Sequence, residues 1–266
     1  GRLYRLNNDL QKAEGELKIA IKLDPSSEEA VTTLAMLYTD EGDTAHALKV
    51  LASIPDSARS AKLYSALGAA YEQRKDFKNA IDAYKHAIVL DRDNLDAIRG
   101  LAENLLNNGQ LDAALEQYKV IADSNPEDAQ TYVRMAEIYR RQAKFGLALE
   151  NLKRADTLVP DTMDVPYSMA AVYQAQGRYD DAIKLLQDLV KKTEKSETGS
   201  SPDRNNRAIF VARLGMVYRE QENYTAAVDT FRKMLSLGDE NARSGYQEII
   251  DTYREAKQWP QATAVA

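Results

Sequence analysis

The chain has 266 residues, of which 44% are hydrophobic, and it carries a net charge of −6 with a pI of about 5.2. The hydrophobic fraction excludes a disordered chain, and the acidic balance argues against bulk binding of nucleic acid. No apolar run approaches the ~18 residues of a membrane span, so we expect a soluble protein. The absence of cysteine excludes a disulfide framework, but it does not separate a cytoplasmic from a periplasmic or secreted protein.

A small alanine recurs along the chain at intervals of 34, 33, 34, 34, 34, 45 and 35 residues. A large apolar or aromatic residue follows each of the first seven alanines by four positions. A pair of large residues, also four apart, precedes each alanine from the second to the eighth. Because residues four apart share one helical face, each interval predicts two amphipathic helices joined by a tight turn. Such a hairpin must stack on copies of itself to bury its surface. The alanines are Ala13, Ala47, Ala80, Ala114, Ala148, Ala182, Ala227 and Ala262.

The repeated pattern resembles the tetratricopeptide repeat (TPR), in which an aromatic residue, Leu-Gly, Tyr, Ala, an aromatic residue and Pro follow in order. The residues that carry the resemblance are Tyr64, Leu67, Gly68, Tyr71, Ala80 and Tyr84, then Leu214, Gly215, Tyr218, Ala227 and Phe231, with closing prolines at Pro25, Pro126 and Pro160. The resemblance covers essentially the whole chain. It implies an all-α, right-handed α-solenoid of about seven helix-turn-helix repeats with a concave groove.

We predict a single array over residues 1–266 that starts with a partial repeat at 1–25. Full repeats follow at 28–59, 61–94, 95–128, 129–162 and 163–196, then an inserted loop at 197–207, a repeat at 208–241 and a truncated repeat at 243–266. Both ends look cut from a longer array, and terminal repeats normally carry a polar outer face. We therefore expect exposed apolar surface and self-association at the ends.

Four positions depart from the repeat pattern. Pro55 is expected to end a second helix early. Pro166 and Pro260 fit the first turn of a helix, with Asp164 as the N-cap residue before the former. Trp259, the only tryptophan, occupies the inter-helix slot that Phe or Tyr fills elsewhere, and we expect it to pack in the core.

The longest interval contains a polar stretch from Lys191 to Asn206 that is rich in turn-forming residues. One interpretation is a surface insertion between two hairpins that the fold tolerates. The other is a loop that contacts a partner, because loops often carry binding residues. The sequence leaves both open.

No arrangement of residues indicates catalysis. His46 and His86 lie 40 residues apart without acidic residues at metal-ligand spacing, and the chain has no glycine-rich phosphate loop and no serine nucleophile motif. Acidic pairs fall at predicted helix starts, where they stabilise the helix dipole. We therefore predict neither an enzymatic site nor a cofactor nor a metal.

In the family that the chain resembles, inward-facing residues of each first helix contact the ligand. Two family devices are not matched here: the clamp of Lys and Asn residues for carboxyl-terminal tails, and the asparagine ladder of the sugar-transferring members. The candidate partner-binding residues are Arg99, Glu103, Arg134, Glu137, Arg140, Arg141, Tyr167, Arg213, Met216 and Arg219.

Charge alternates between repeats. Residues 28–55 hold one lysine against five acids, residues 96–129 two basic residues against seven acids, and residues 130–155 six basic residues against two acids. Neighbouring repeats could attract each other through these faces. Alternatively, the basic segment binds an acidic or carboxylate-bearing peptide, with Arg134 and Arg141 among the bidentate donors.

The sequence thus predicts a non-catalytic scaffold that binds a peptide or helix of a partner protein in its groove. Two alternatives stay open. The array is a regulatory or substrate-recruiting arm of a larger enzyme or assembly complex, or it has a structural role and self-assembles through its stacked ends.

Overall fold

The computed structural model describes residues 10–194 and 201–266, and it describes side chains from residue 11 and, after the gap, from residue 204. Within these ranges the regular structure consists of fifteen α-helices and two short 3-10 segments. The described helices form two compact units that divide after Pro126. The predicted all-α fold is confirmed.

The first unit, as described from residue 10, contains one single helix followed by three antiparallel hairpins. In each hairpin the second helix packs against the first, and the first helices of successive hairpins also pack side by side. The helices are α1 (Leu10–Leu23), α2 (Glu28–Asp40), α3 (Thr44–Leu51), α4 (Ala61–Gln73), α5 (Phe77–Leu90), α6 (Leu95–Asn107) and α7 (Leu111–Ser124).

The second unit contains four hairpins. Its helices are α8 (Ala129–Arg141), α9 (Phe145–Leu158), α10 (Asp164–Ala175), α11 (Tyr179–Glu194), α12 (Ser201–Glu220), α13 (Tyr224–Arg232), α14 (Asp239–Glu255) and α15 (Trp259–Val265). The division between the units lies two residues before the predicted end of the repeat at 95–128.

Seven of the recurring alanines lie in the second helix of a hairpin, and Ala13 lies in the single helix α1. Seven of the eight have no exposed surface, and Ala262 is 5% exposed. The large residue four positions after each of the first seven is buried as well. The 34-residue period therefore marks the interior of the array, where only a small side chain allows the helices to approach closely.

Each hairpin turn contains one residue in the left-handed backbone region. Gly42, Gly109 and Gly177 provide it in three hairpins, at φ of 82°, 76° and 71°. Lys75, Ala143, Glu222 and Lys257 provide it in the other four. A residue with positive φ just after a helix closes the helix and reverses the chain, so the hairpin geometry is maintained even where glycine is absent.

The predicted effect of Pro55 is consistent with the structure, because α3 ends at Leu51 and a 3-10 segment (Asp56–Ala58) follows. Asp164, in contrast, is not the N-cap of its helix. It is the first residue of α10, Met163 precedes it as the N-cap, and no side chain caps this helix. An aspartate in the first turn still stabilises the helix dipole, which explains why the sequence places an acid there.

The predicted loop at 197–207 is wrong from residue 201 onwards. α11 continues through Glu194, and α12 begins at Ser201 with Pro202 in its first turn, where proline is tolerated. Arg207 of α12 pairs with Glu194 of α11 at 3.2 Å, which joins the two helices near their ends. The part of this prediction at 197–200 lies outside the described residues. Of the polar residues that suggested a loop, 191–194 lie in α11 and 201–206 lie in α12.

The prediction that Trp259 packs in the core is also wrong, because its side chain is 60% exposed. Its counterparts in other hairpins, among them Phe77 and Tyr179, are half-buried. α15 spans seven residues and packs mainly against α14, so few neighbours surround its first turn. Pro260 lies in this first turn as predicted.

Replacing Gly215 with alanine should destabilise the protein by about 1–3 kcal/mol. A β-carbon at position 215 would overlap Cε1 of Phe231, so the buried ring must shift. Gly146→Ala is the control, because a β-carbon there meets no atom within 4 Å. That change should be neutral or stabilise by up to about 1 kcal/mol. Urea unfolding followed by circular dichroism measures the stability of both variants. Equal changes in stability would contradict the close approach of Gly215 to the Phe231 ring.

Candidate functional site

Four of the ten predicted site residues surround one hollow in the second unit. Glu137 and Arg140 come from α8, Tyr167 from α10 and Arg213 from α12. The hollow has a volume of about 180 Å³, and the small or apolar side chains between the polar residues are Val133, Ala136, Ser168 and Ala171. Three successive first helices thus contribute to a single concave site.

Arg213 is held in a fixed position on the wall of this hollow. Its Nε and Nη2 donate to the Tyr167 hydroxyl at 3.3 and 3.2 Å, and its Nη1 donates to Oε1 of Gln174 at 3.1 Å. The guanidinium carbon lies 5.3 Å from the centre of the Tyr167 ring. The amide of Gln174 in turn donates to Glu220 at 2.7 Å. The cation is therefore oriented by a network that joins α10 and α12.

The hydrogen-bond partners of Arg213 are neutral. Among the described residues no carboxylate lies at ion-pair distance from its guanidinium, and the side chain is half-buried. A guanidinium has five N–H donors in a planar arrangement that fits a carboxylate. Because Arg213 is positioned but not neutralised, it can accept an anionic group from outside the chain.

Arg140 and Arg141 are arranged differently, because both bind Glu137. Arg140 donates Nε and Nη2 to the two carboxylate oxygens at 2.9 and 2.8 Å, and Arg141 donates Nε at 2.7 Å. Burial alone would raise the pKa of Glu137, but the hydrogen bonds from Arg140 and Arg141 and their charges lower it below its ordinary value of 4.5. Three charges on α8 therefore leave a net charge of about +1 beside the hollow.

The remaining predicted residues lie outside this hollow. Arg219 pairs with Glu248 at 2.8 Å and with Glu255 at 3.6 Å, so it joins α12 to α14. Met216 packs against the core of the second unit. Arg134 is half-buried on α8, and Arg99 and Glu103 are half-buried on α6 of the first unit. Their roles in binding stay predictions.

The candidate list does not include Gln174, although this residue orients Arg213. It lies seven positions after Tyr167, which places both on one face of α10, and this spacing could have identified it. The pairing of Glu137 with Arg140 and Arg141 also follows from spacings of three and four along a helix. The helical period of the sequence therefore predicts part of the hydrogen bonding in this site.

The described residues contain no group of three or more His, Asp or Glu side chains that could hold a metal ion. Each histidine contacts an aromatic ring instead: His46 lies 5.4 Å from Tyr38 and His86 lies 4.9 Å from Tyr64, measured between ring centres. No described helix has the length and apolar composition needed to cross a lipid bilayer.

The Glu137 cluster should add a pH-dependent contribution to stability. Its carboxyl is more acidic in the folded than in the unfolded chain, so this contribution is complete above pH 4.5 and is lost as the pH falls through the lowered folded value. Between pH 6 and pH 3 the unfolding free energy of the wild type should fall by about 0.5–1 kcal/mol more than that of Glu137→Gln. Urea titrations at each pH measure the difference. If the unfolding free energies of the two proteins change with pH in parallel, the Glu137 cluster contributes nothing to the pH dependence of stability.

Comparison with known families agrees with the repeat pattern. Family models described as tetratricopeptide repeat match residues 4–71, 72–137 and 161–240. The chain belongs to the tetratricopeptide repeat family. A further model, described as anaphase-promoting complex, cyclosome, subunit 3, matches residues 119–189 of this TPR chain.

Individual relatives are distant. The TPR chain is 24% identical over 186 residues to BBSome complex member BBS4 from Bos taurus, covering 70% of this chain and 30% of the relative. It is 27% identical over 183 residues to the human protein O-mannosyl-transferase TMTC1, covering 67% of this chain and 21% of the relative. The chain thus spans less than a third of either. Among solved structures, a tetratricopeptide repeat protein from Parabacteroides merdae matches with a TM-score of 0.71 at 16% identity, covering 89% of this chain and 90% of that one.

Proposed function

We propose that this TPR chain is a non-catalytic interaction module, and that its second unit holds a partner segment by an acidic residue bound to Arg213. TPR proteins generally mediate protein–protein interaction, which supports the claim that the chain is an interaction module. The single observation that supports binding of an acidic residue is Arg213 itself. It is a half-buried cation, oriented by Tyr167 and Gln174 beside a hollow that three first helices line.

The hollow suits one carboxylate rather than a highly charged ligand. Glu137 already neutralises much of the charge of Arg140 and Arg141. Arg213 is therefore the main cation that is available to a ligand in this hollow. Charge-assisted hydrogen bonds to a carboxylate are about twice as strong as neutral ones. Val133 and Ala171 then contact the apolar atoms beside that carboxylate. The proposed ligand is a peptide or helix with one Asp or Glu among small or apolar residues.

A paired peptide array tests this proposal. Each peptide with a single Asp or Glu is printed beside the same peptide with Asn or Gln, and the full-length protein is applied with a fluorescent label. We expect a set of acidic peptides to bind more strongly than their amide partners, and the difference to shrink as ionic strength rises from about 0.05 to 0.5 M. If the amide partners bind equally well throughout, the proposal is wrong.

A second candidate function is supported by the names and lengths of the relatives. One is a complex member and another is a mannosyl-transferase, and each is more than three times as long as the matched region. In this alternative the array recruits or positions a partner for a larger assembly or enzyme. Sequencing the reading frame on both sides of the array, followed by purification of the full-length protein with its bound subunits, tests the alternative. A full-length protein that contains no further domain and purifies alone would exclude it.

A further inference from the structure

The first unit contains a second hollow with a different chemical character. It has a volume of about 350 Å³, and it lies against α2, α4 and α6 with Tyr84 of α5 at its base. Met36, Ala66 and Ala69 form its apolar wall. Met36 is 40% exposed although its side chain is large and apolar. A flexible thioether side chain of this kind adapts to the shape of an apolar ligand.

The base of this hollow is rigid because Tyr84 is fixed on several sides. A β-carbon at Gly68 or Gly100 would overlap the Tyr84 ring, so only glycine admits the ring at these two positions. The Tyr84 hydroxyl donates to Glu72 at 3.0 Å, and Asn104 donates to the same carboxylate oxygen at 2.9 Å. The hollow is therefore formed before any ligand arrives, which lowers the cost of binding.

Three polar groups around the hollow have no partner among the described residues. The Ser65 hydroxyl oxygen is buried without a hydrogen bond. Lys62 of α4 and Asp96 of α6 are exposed, and within the described part of the chain neither is in an ion pair. Each is the second residue of its helix. Neighbouring packed helices lie about 8–10 Å apart, so the rim carries a positive and a negative charge at roughly that separation.

We propose that this hollow binds one large apolar side chain of an extended partner segment, flanked by an acidic residue at Lys62 and a basic residue at Asp96. An extended chain rises about 3.3 Å per residue, so an acid and a base three positions apart span about the separation of the rim charges. Because successive side chains point to opposite faces, the long Glu and Lys side chains have to turn towards the rim to reach Lys62 and Asp96. The site is separate from Arg213, and it extends the proposed function to a second, chemically different ligand.

Synthetic peptides test this inference directly. The probe is fluorescein-labelled Ser-Gly-Glu-Leu-Ser-Lys-Gly-Ser, tested beside the version in which Glu and Lys are exchanged, because the segment can run in either direction. The control probe replaces Leu with Ser. Fluorescence anisotropy with the wild-type protein should show binding of one Leu probe, and loss of the leucine should weaken it about ten- to hundredfold.

Two matched variants locate the binding. Ala69→Leu fills the hollow from an exposed helix position and should abolish binding of the Leu probe, whereas Ala113→Leu makes the same change at an exposed position of α7 outside the hollow. Lys62→Glu should reverse the preference between the two charge orders. The Glu of the probe also fits the acidic site, so the readout is the difference in affinity between the Leu and Ser probes. That difference should persist in Arg213→Gln, which makes failure of the acidic site and failure of this one distinguishable. If no Leu probe binds, or if Ala69→Leu has no effect on binding, the inference is overturned.

Discussion

Replacing Arg213 with glutamine should weaken binding of an acidic partner peptide about ten- to hundredfold. Glutamine retains a hydrogen-bonding side chain but removes the charge and the planar set of donors. The fold should tolerate the change, because Arg213 is half-buried and its hydrogen-bond partners are the neutral groups of Tyr167 and Gln174. Isothermal titration with a peptide selected from the array measures the dissociation constant.

Arg154→Gln is the matched control, since Arg154 is an exposed arginine of α9 in the same unit and lies outside the hollow. Its dissociation constant should equal that of the wild type. Arg213→Lys should recover part of the affinity, because lysine restores the charge but not the bidentate geometry. Equal weakening by Arg154→Gln and Arg213→Gln would mean that net charge alone, and not this site, attracts the peptide.

Replacing Phe231 with alanine should destabilise the protein by about 3–5 kcal/mol. The ring has no exposed surface, it contacts Gly215, and the Arg219 guanidinium carbon lies 5.7 Å from its centre. Its removal leaves a cavity between α12 and α13, and the flanking helices cannot collapse into it without losing contacts elsewhere. The midpoint of urea unfolding, followed by circular dichroism, should fall accordingly.

Trp259→Ala provides the comparison for this large aromatic deletion. Although tryptophan is larger than phenylalanine, Trp259 is 60% exposed, so its removal should cost about 1 kcal/mol or less. The sequence alone places both aromatic side chains in packing positions, so it predicts a substantial loss of stability from either substitution. A larger loss of stability in Trp259→Ala than in Phe231→Ala would contradict the burial described here.

The fold could be predicted from the sequence because its signal is local and repeated. The alanine at each close approach and the large residue four positions later are set by the helical period, and the structure places all of them in the interior. The prediction failed at single positions where composition has two meanings. A Ser-Pro pair among polar residues indicates a turn as readily as a helix start, and at Ser201 it begins α12.

The candidate site was predictable only in part. Helical spacing placed Glu137, Tyr167 and Arg213 on the inner faces of their helices, and the structure brings them to one hollow. Some arginines have a carboxylate partner on another helix, and helical spacing cannot predict these contacts. Arg219 pairs with Glu248, which is 29 residues away in sequence, and no local pattern reveals this contact. The sequence therefore indicated a basic groove, whereas the structure distinguishes Arg213 from the paired arginines.

Site-specific photo-crosslinking tests the central claim most directly. A benzoylphenylalanine at position 168 in place of Ser168 lies inside the hollow beside Arg213, and the same residue at position 154 in place of Arg154 lies outside it. After irradiation with a bound partner, mass spectrometry locates the cross-linked segment. We predict that position 168 cross-links a partner segment that contains Asp or Glu, and that position 154 does not. Cross-links to that segment from position 154 and none from position 168 would contradict the proposed site.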